Sequence, residues 1–415
     1  MNSDVQVLYE RCCGLDVHKK SVTSCIITPK GKKIRTFGTM TPDIFEMVDW
    51  LKQNKCKDVA MESTGSFWRP IYNILELCEL NVNVINAQHI KNVPGRKTDV
   101  KDAQWIATCF RLGLVKSSFI PDRQDRELRD LVRARNSLTR DRSTHINRIA
   151  KTLEECNIKL SSVATDINGV SGRLMLDAIA DGEIDSAVLA ELAKGRLKKK
   201  KNDLQRALSG IISPHQRMMI AMYRDIIKFF DEQIAQLDQE IEERMRPFEE
   251  QLQLLDTIPG VGRITAQKII AEIGTDMSQF PSSGHLASWA GMAPGNNESA
   301  GKRKSGRTRK GNKHLKTALV EAAKSAGRTK NTYLSAQYHR LSARRGSKKA
   351  TVAVGHTILV IAYHILKERQ PYKELGADYF EKRKEQDIVR HAVKRIRSLG
   401  YKVSIESPEV PADSA

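Results

Sequence analysis

The chain has 415 residues, 28% of them charged, and a formal net charge of +20, with an isoelectric point near 9.6. So much base points to a polyanionic partner, nucleic acid before a charged membrane surface, and the length allows two or three domains. No apolar run reads as long enough to span a bilayer and no secretory leader is evident. The seven scattered cysteines lack CxxC or zinc spacing, which points to reduced thiols in the cytoplasm.

Residues 11–39 alternate as three strands, Cys13–His18, Ser21–Thr28 and Lys33–Thr39, with a turn at Pro29-Lys30-Gly31. An amphipathic helix over 42–53 follows, with Ile44, Met47, Val48 and Leu51 on one face. Then come a buried strand at 58–62 ending in Glu62, a turn at 63–66, a helix at 68–80 and a strand at 83–87. A helix beginning near Asp99 and Asp102 closes the series. The order β-β-β-α-β-α-β-α describes a ribonuclease-H-like fold.

That order sets Asp16 on the central strand, Glu62 at the end of the fourth, and Asp99 and Asp102 on one face of the following helix. Four carboxylates from distant positions then converge at the strand ends, where sites gather in α/β sheets. A hard divalent cation such as Mg²⁺ suits them, since clustered carboxylates repel unless a cation intervenes. The alternative is that Asp99 and Asp102 simply favour a helix N-terminus. His18 reads as a surface histidine or an assistant at the site. Arg96, Lys97 and Lys101 read either as phosphate contacts or as a solvated basic loop.

Residues 122–157 read as one long helix, and 215–253 as a second whose seam runs Ile226, Phe230, Ile234, Leu237, Ile241, Met245, Phe248, Leu252. This coiled-coil spacing predicts pairing of the two helices, with each other or across subunits. Residues 158–214 look less regular, with helices expected at 169–179 and 186–192, and include the basic run 194–201, either solvated or bound to nucleic-acid backbone.

Residues 255–266 resemble a helix-hairpin-helix in which Gly260, Gly262 and Arg263 open a helix toward a phosphate; the alternative is a tight turn between core helices. A Gly- and base-rich loop spans 295–312, with Lys302, Arg303, Lys304, Arg307, Arg309 and Lys310 as backbone-contact candidates. Helices are expected at 313–326 and 347–368, then a charged tail, disordered beyond about 403.

These stretches together resemble the insertion-sequence 110 family, the DEDD transposases described as RNA-guided bridge recombinases. Gly14-Leu15-Asp16-Val17-His18-Lys19, Met61-Glu62-Ser63-Thr64-Gly65 and Lys97-Thr98-Asp99-Val100-Lys101-Asp102-Ala103 look like the blocks of its RuvC-like N-terminal domain. Ile258-Pro259-Gly260-Val261-Gly262 and the stretch from Ala290 through Leu315 look like its C-terminal transposase domain.

The resemblance implies four segments. They are a RuvC-like DEDD domain at 8–120, a helical coiled-coil linker with a basic insertion at 121–253, a transposase domain at 254–372 and a partly disordered tail at 373–415. It implies that Asp16, Glu62, Asp99 and Asp102 bind Mg²⁺, with Mn²⁺ as the alternative ion. Ser299 is implied as the nucleophile, ahead of Ala300-Gly301 where a Gly-Gly pair is common; Ser305 is the second candidate. Implied partners are donor and target DNA, a structured noncoding guide RNA and further copies of the chain in a homodimer or homotetramer, with no membrane. The expected setting is a prokaryotic cytoplasm, at the nucleoid. A metal-dependent nuclease or Holliday-junction resolvase using water would share the carboxylates and dispense with Ser299. A non-catalytic nucleic-acid binder and a structural coiled-coil protein are the other readings.

Overall fold

The computed structural model describes residues 7–63, 65–86, 102–295, 297–299, 301–308, 310–383 and 385–404, with backbone alone for 297–299, 303–305 and 386–388. The chain divides into two compact units, Met1–Pro121 and Asp122–Ala415.

The first unit runs β1 (Cys12–Val17), β2 (Ser21–Thr28), β3 (Gly31–Gly38), α1 (Thr41–Gln53), β4 (Asp58–Glu62), α2 (Trp68–Leu77), β5 (Asn81–Ile85) and α3 (Asp102–Arg111). Its five-stranded sheet has the order β3-β2-β1-β4-β5. The first three strands pair antiparallel; β4 and β5 join in parallel. One face buries Leu15, Val59 and Met61 against Ile44, Met47 and Leu51 of α1 and Ile71 and Leu75 of α2. The other buries Cys12, Ala60 and Ile85 against Ile106, Cys109 and Phe110 of α3. The edge strand β3 is largely exposed and carries Lys32, Lys33 and Arg35, charges that discourage pairing with another chain.

The second unit is mainly helical. Its long helices α4 (Arg123–Glu155) and α9 (Pro214–Met245) lie antiparallel. Arg244 pairs with Glu127, Arg135 with Asp238 and Arg142 with Asp231, while the His145 ring meets Tyr223 and Phe230. The two helices therefore pair within one chain, burying Ile241 and Met245 of the predicted seam and half-burying Ile226, Phe230, Ile234 and Leu237. It also stops earlier than expected: Pro247 enters a short 3₁₀ turn, Arg246–Phe248, and α10 (Glu249–Asp256) starts afresh, because proline lacks the N–H that would continue the ladder.

The stretch read as less regular is helical almost throughout: the two helices expected there are present at 170–181 and 186–191, and further short ones join them. It forms α5 (Leu160–Val163), α6 (Val170–Asp181), α7 (Ser186–Glu191), a 3₁₀ turn at Gly195–Lys200 and α8 (Lys201–Leu208). These close a core of Leu160, Met175, Ile179, Leu189 and Leu204 onto Ile149, Leu153 and Ile220 of the long helices. The unexpected α5 and α8 have four and eight residues, too few for a clear period in sequence.

Downstream lie α11 (Arg263–Ile273), α12 (Ser283–Trp289), β6 (Asn297–Ser299), β7 (Lys302–Ser305), α13 (Lys313–Ala326), α14 (Tyr333–Arg345) and α15 (Ser347–Glu368). Contrary to the sequence reading, α15 is long and apolar enough to cross a bilayer. In the fold it is a core helix: Val354, Ile358, Leu359 and Ala362 are buried, and Gly355 abuts the Leu319 backbone of α13. A helix wrapped on several sides is apolar on several sides. The tail carries α16 (Tyr379–Lys382) and the mostly exposed α17 (Glu385–Ser398), and the expectation of disorder beyond about 403 falls almost wholly outside the described residues. All seven cysteines are free, and burial pushes the Cys12 and Cys56 thiols up to about 12.

Candidate functional site

The carboxylates of the first unit meet through register. Gly14 and Leu15 of β1 pair with Ala60 and Met61 of β4 in parallel, so Asp16 and Glu62 come next on both strands. Side chains alternate between faces. Leu15 and Met61 point to the α1–α2 core, which turns Asp16 and Glu62 to the face covered by α3. There Gly14 makes room: a Cβ on it would lie 2.3 Å from the Ala103 carbonyl oxygen and 2.4 Å from the Ala107 nitrogen. The absent side chain lets the backbone of α3 rest on β1, and the first residue of α3 is Asp102. Burial pushes the Asp16 carboxyl above its usual range; His18 opposes this, while Asp102 and Glu62 add to the rise by like-charge repulsion. His18 Nε2 lies 3.1 Å from Asp16 Oδ2 with its ring largely exposed, so it both faces solvent and touches the site.

Asp99 lies outside the described residues, as do Arg96, Lys97 and Lys101. Among the described residues no three His, Cys, Asp or Glu side chains form a group ready to hold a metal ion. The donors that do meet are all carboxylate oxygens, the chemistry hard divalent cations prefer.

In the second unit the Gly- and base-rich loop is a short β-hairpin. Asn297–Ser299 pairs antiparallel with Lys302–Ser305, Ser299 opposite Lys302, and Gly301 takes the left-handed φ of +72° that tight hairpin turns require. Below it, Pro294 bridges Thr308, and the Gly295 N–H donates to the Arg307 carbonyl at 3.0 Å. Lys302, Arg307 and Lys310 are exposed; Arg309 and the side chains of Ser299, Arg303, Lys304 and Ser305 are outside the described set.

The turn between α10 and α11 divides the motif proposed from sequence. Gly260, at φ +85°, is a contact between helices: a Cβ there would lie 2.5 Å from both the Ala322 carbonyl oxygen and the Ala326 nitrogen of α13. Gly262 caps α11 with nothing within 4 Å of a built Cβ, so only this glycine leaves the helix end open to an anion. The Arg263 guanidinium pairs with Glu242 and Glu249, and those carboxylates hold its pKa above the usual arginine value. The Arg263 guanidinium, expected to face a phosphate, is thus held in ion pairs within the fold while 41% of its side chain stays exposed. Lys198, Lys199 and Lys200 of the basic run are exposed, and Lys201 pairs with Glu191.

Sequence reasoning missed a buried polar cluster. Glu272, only 2% exposed, accepts both prongs of the Arg133 fork at 2.7 Å, and Asn312 Nδ2 donates to it at 2.6 Å. The signals were a lone glutamate in Ile269-Ile270-Ala271-Glu272-Ile273 and an asparagine just before a helix.

Comparison with known proteins accounts for both units. Residues 13–158 match a family model described as a transposase, of the DEDD IS110 kind, and residues 252–340 match one described as the transposase IS116/IS110/IS902 family. The transposase for insertion sequence element IS1111A of Coxiella burnetii is 25% identical over 377 residues, 89% of this chain and 92% of that protein. The pilin gene-inverting protein of Moraxella bovis is 30% identical over 154 residues, 36% of this chain and 48% of that protein. An uncharacterized 44.8 kDa protein of insertion element IS116 from Streptomyces clavuligerus is 27% identical over 244 residues, 51% of this chain and 59% of its own length. The two family matches together span more than half of the sequence, and the chain belongs to the IS110 family of transposases, enzymes that act on DNA.

Proposed function

We propose that this transposase cuts and rejoins DNA by transesterification at Ser299, with Asp16, Glu62, Asp99 and Asp102 as its catalytic carboxylates. What supports the reading is that Asp16 and Glu62 follow paired residues of two adjacent parallel strands, that Asp102 opens the helix resting on β1, and that both Asp102 and Glu62 push the Asp16 carboxyl upward. The strand order and register support a ribonuclease-H-like, RuvC-like reading of this unit. The hairpin with Ser299 beside its turn supports that residue as the nucleophile.

A serine hydroxyl is a weak nucleophile unless activated. In the proposed step the Ser299 Oγ–phosphorus bond forms and the bond from phosphorus to one sugar oxygen breaks. The hydroxyl proton ends on the released sugar oxygen. Attack by the hydroxyl of a second DNA end reverses the exchange and frees the serine, so the count of phosphodiester bonds is kept and no nucleotide need be hydrolysed. The oxygen-only donor set and the mutual repulsion at Asp16 fit a divalent cation, Mg²⁺ or Mn²⁺, held by Asp16, Glu62, Asp99 and Asp102. Bound there, it would supply charge that polarises the scissile phosphate. Lys302, Arg303, Lys304, Arg307, Arg309 and Lys310, with the open helix end at Gly262, supply backbone contacts. The reading extends to a structured noncoding guide RNA that pairs with both DNAs, and to a dimer or tetramer in which one copy's serine serves another copy's carboxylates.

The test is covalent trapping. Purified protein, the element's RNA, labelled donor and target DNA and Mg²⁺ are mixed, denatured and examined for protein–DNA adducts. An adduct lost in both Ser299→Ala and Asp102→Ala supports the reading. Cutting without an adduct, unaffected by Ser299→Ala, would replace it with a water-using nuclease.

A further inference from the structure

We infer that Asn312 and Glu272 are positioning residues for the serine hairpin, fixing its return strand to the long helix α4. The inference rests on the reading of Ser299 as nucleophile.

The hairpin leaves the helical core after Gly291 and rejoins it at Asn312, so its aim depends on those two ends. They are clamped together. Gly311 sits so close to Gly291 that a Cβ on it would lie 2.3 Å from the Gly291 nitrogen. Lys316 of α13 reaches back to the Gly291 carbonyl at 3.2 Å and the Thr308 hydroxyl at 2.8 Å.

Asn312 then does two things at once. Its Oδ1 caps α13, accepting from the His314 and Leu315 N–H groups at 3.0 and 3.1 Å. Its Nδ2 donates to Glu272 Oε2 at 2.6 Å. A cap alone would be served as well by Ser or Asp. A hydroxyl would have to do both through one oxygen and an aspartate cannot donate, whereas an amide offers the acceptor to the helix and the donor to the carboxylate on separate atoms.

Glu272 is itself immobilised. The Arg133 fork holds both its oxygens, and Arg129 of the same helix donates to the Ala271 and Glu272 carbonyls at 3.0 and 2.8 Å. A buried ion pair is weak evidence for stability, since apolar residues of similar volume often do as well. What this one does that apolar residues could not is hold the Asn312 amide in one orientation. The chain of contacts runs from α4 through Arg133 and Glu272 to Asn312, the last residue before α13. A shift of about 1 Å in a reacting group can cost on the order of a hundredfold in rate, so the tie matters most to chemistry.

Asn312→Asp separates the two tasks. Aspartate caps a helix as well as asparagine and suits its positive end, but it cannot donate to Glu272 and opposes it charge to charge. The full chain is assayed for single-turnover adduct formation with the element's RNA and DNA ends, alongside DNA affinity and melting temperature. We expect the adduct rate to fall on the order of a hundredfold with DNA affinity held, and the melting temperature to fall as well, because two carboxylates are forced together in a buried site. The exchange Glu272→Gln/Asn312→Asp reverses the donor and acceptor, and should recover most of the rate. Asn312→Asp at the wild-type rate, or a loss of rate, affinity and melting temperature together that the exchange does not recover, would overturn the inference. Ser299→Ala is run beside it. A wild-type adduct that needs Ser299 while Asn312→Asp reacts normally sinks this inference alone. No wild-type adduct sinks the nucleophile reading and the inference with it.

Discussion

In the first unit, Asp16 and Glu62 are set by the register of two neighbouring parallel strands, and Asp102 by one close helix contact. In the second, the hairpin with Ser299 is set by its stem: a bridge, a lysine reaching across, a glycine pressed on a glycine, and one buried hydrogen bond. The first arrangement is inseparable from the sheet's own core, so whatever disturbs it disturbs folding. The second hangs from the edge of a helical core that stands without it. The carboxylates therefore sit where rigidity is a by-product of the fold, and the hairpin where rigidity is supplied locally. A group that must approach a phosphate and withdraw benefits from a mount that can be tuned without unfolding its unit.

A matched pair of substitutions tests this difference, because each region rests on a glycine whose Cβ would strike backbone. Gly14→Ala should have the largest effect. Gly14 is buried between β1 and α3, and the added carbon meets Ala103 and Ala107 with nowhere to go. Overpacking of that kind costs about 1–3 kcal/mol. Urea unfolding of the first unit should show that loss, and strand transfer should fall with it because Asp102 moves. An unchanged midpoint would mean that α3 does not need the close approach.

Gly311→Ala should be the milder change in stability and the more selective one. Its Cβ would lie 2.3 Å from the Gly291 nitrogen, a collision as severe on paper, but Gly311 is exposed and lies outside any helix or strand, where the backbone yields more readily. The midpoint should move by less than about 1 kcal/mol, in the range of ordinary surface changes, while adduct formation falls. A large loss of stability here would erase the contrast between the two mounts.

Much of the first unit was readable from sequence because its signals are local and repeated. Alternation marks β2, Ile44, Met47, Val48 and Leu51 mark the inner face of α1, and the spacing of Asp16 and Glu62 follows from the strands that carry them. The antiparallel helix pair was readable for the same reason, since its seam recurs over many turns. Between α4 and α9 the helices α6 and α7 were readable, whereas α5 and α8 were not, because four and eight residues show too little of a period. The surroundings of Gly260 and Arg263 were left open between two readings, because a Gly-x-Gly turn looks the same whether it faces a phosphate or a neighbouring helix. Only the position of Ala322 and Ala326, some sixty residues on, decides it. The Glu272 cluster was hidden likewise: Arg133, Glu272 and Asn312 are far apart in the chain and meet only after folding.

That cluster gives the smallest of the expected effects and the one that isolates the hairpin's mount from the rest. Burial alone would raise the Glu272 carboxyl. The Arg133 fork, the Asn312 amide and the Arg129 charge outweigh burial and hold it below the usual 4.5. A carboxyl whose pKa is lower folded than unfolded adds stability above the unfolded value, and that stability drains as pH falls through the folded one. The second unit should therefore lose melting temperature below about pH 4.5 in part through Glu272. Glu272→Gln, which keeps the shape and an acceptor for Asn312 but cannot titrate, should start lower at neutral pH and decline less steeply in acid. The first unit, which lacks this residue, should show the same acid profile in both proteins. If the two proteins give parallel curves in both units, Glu272 is not ionised against Arg133 in the folded state, and the hairpin's tie to α4 is a neutral hydrogen bond instead of an anchored charge.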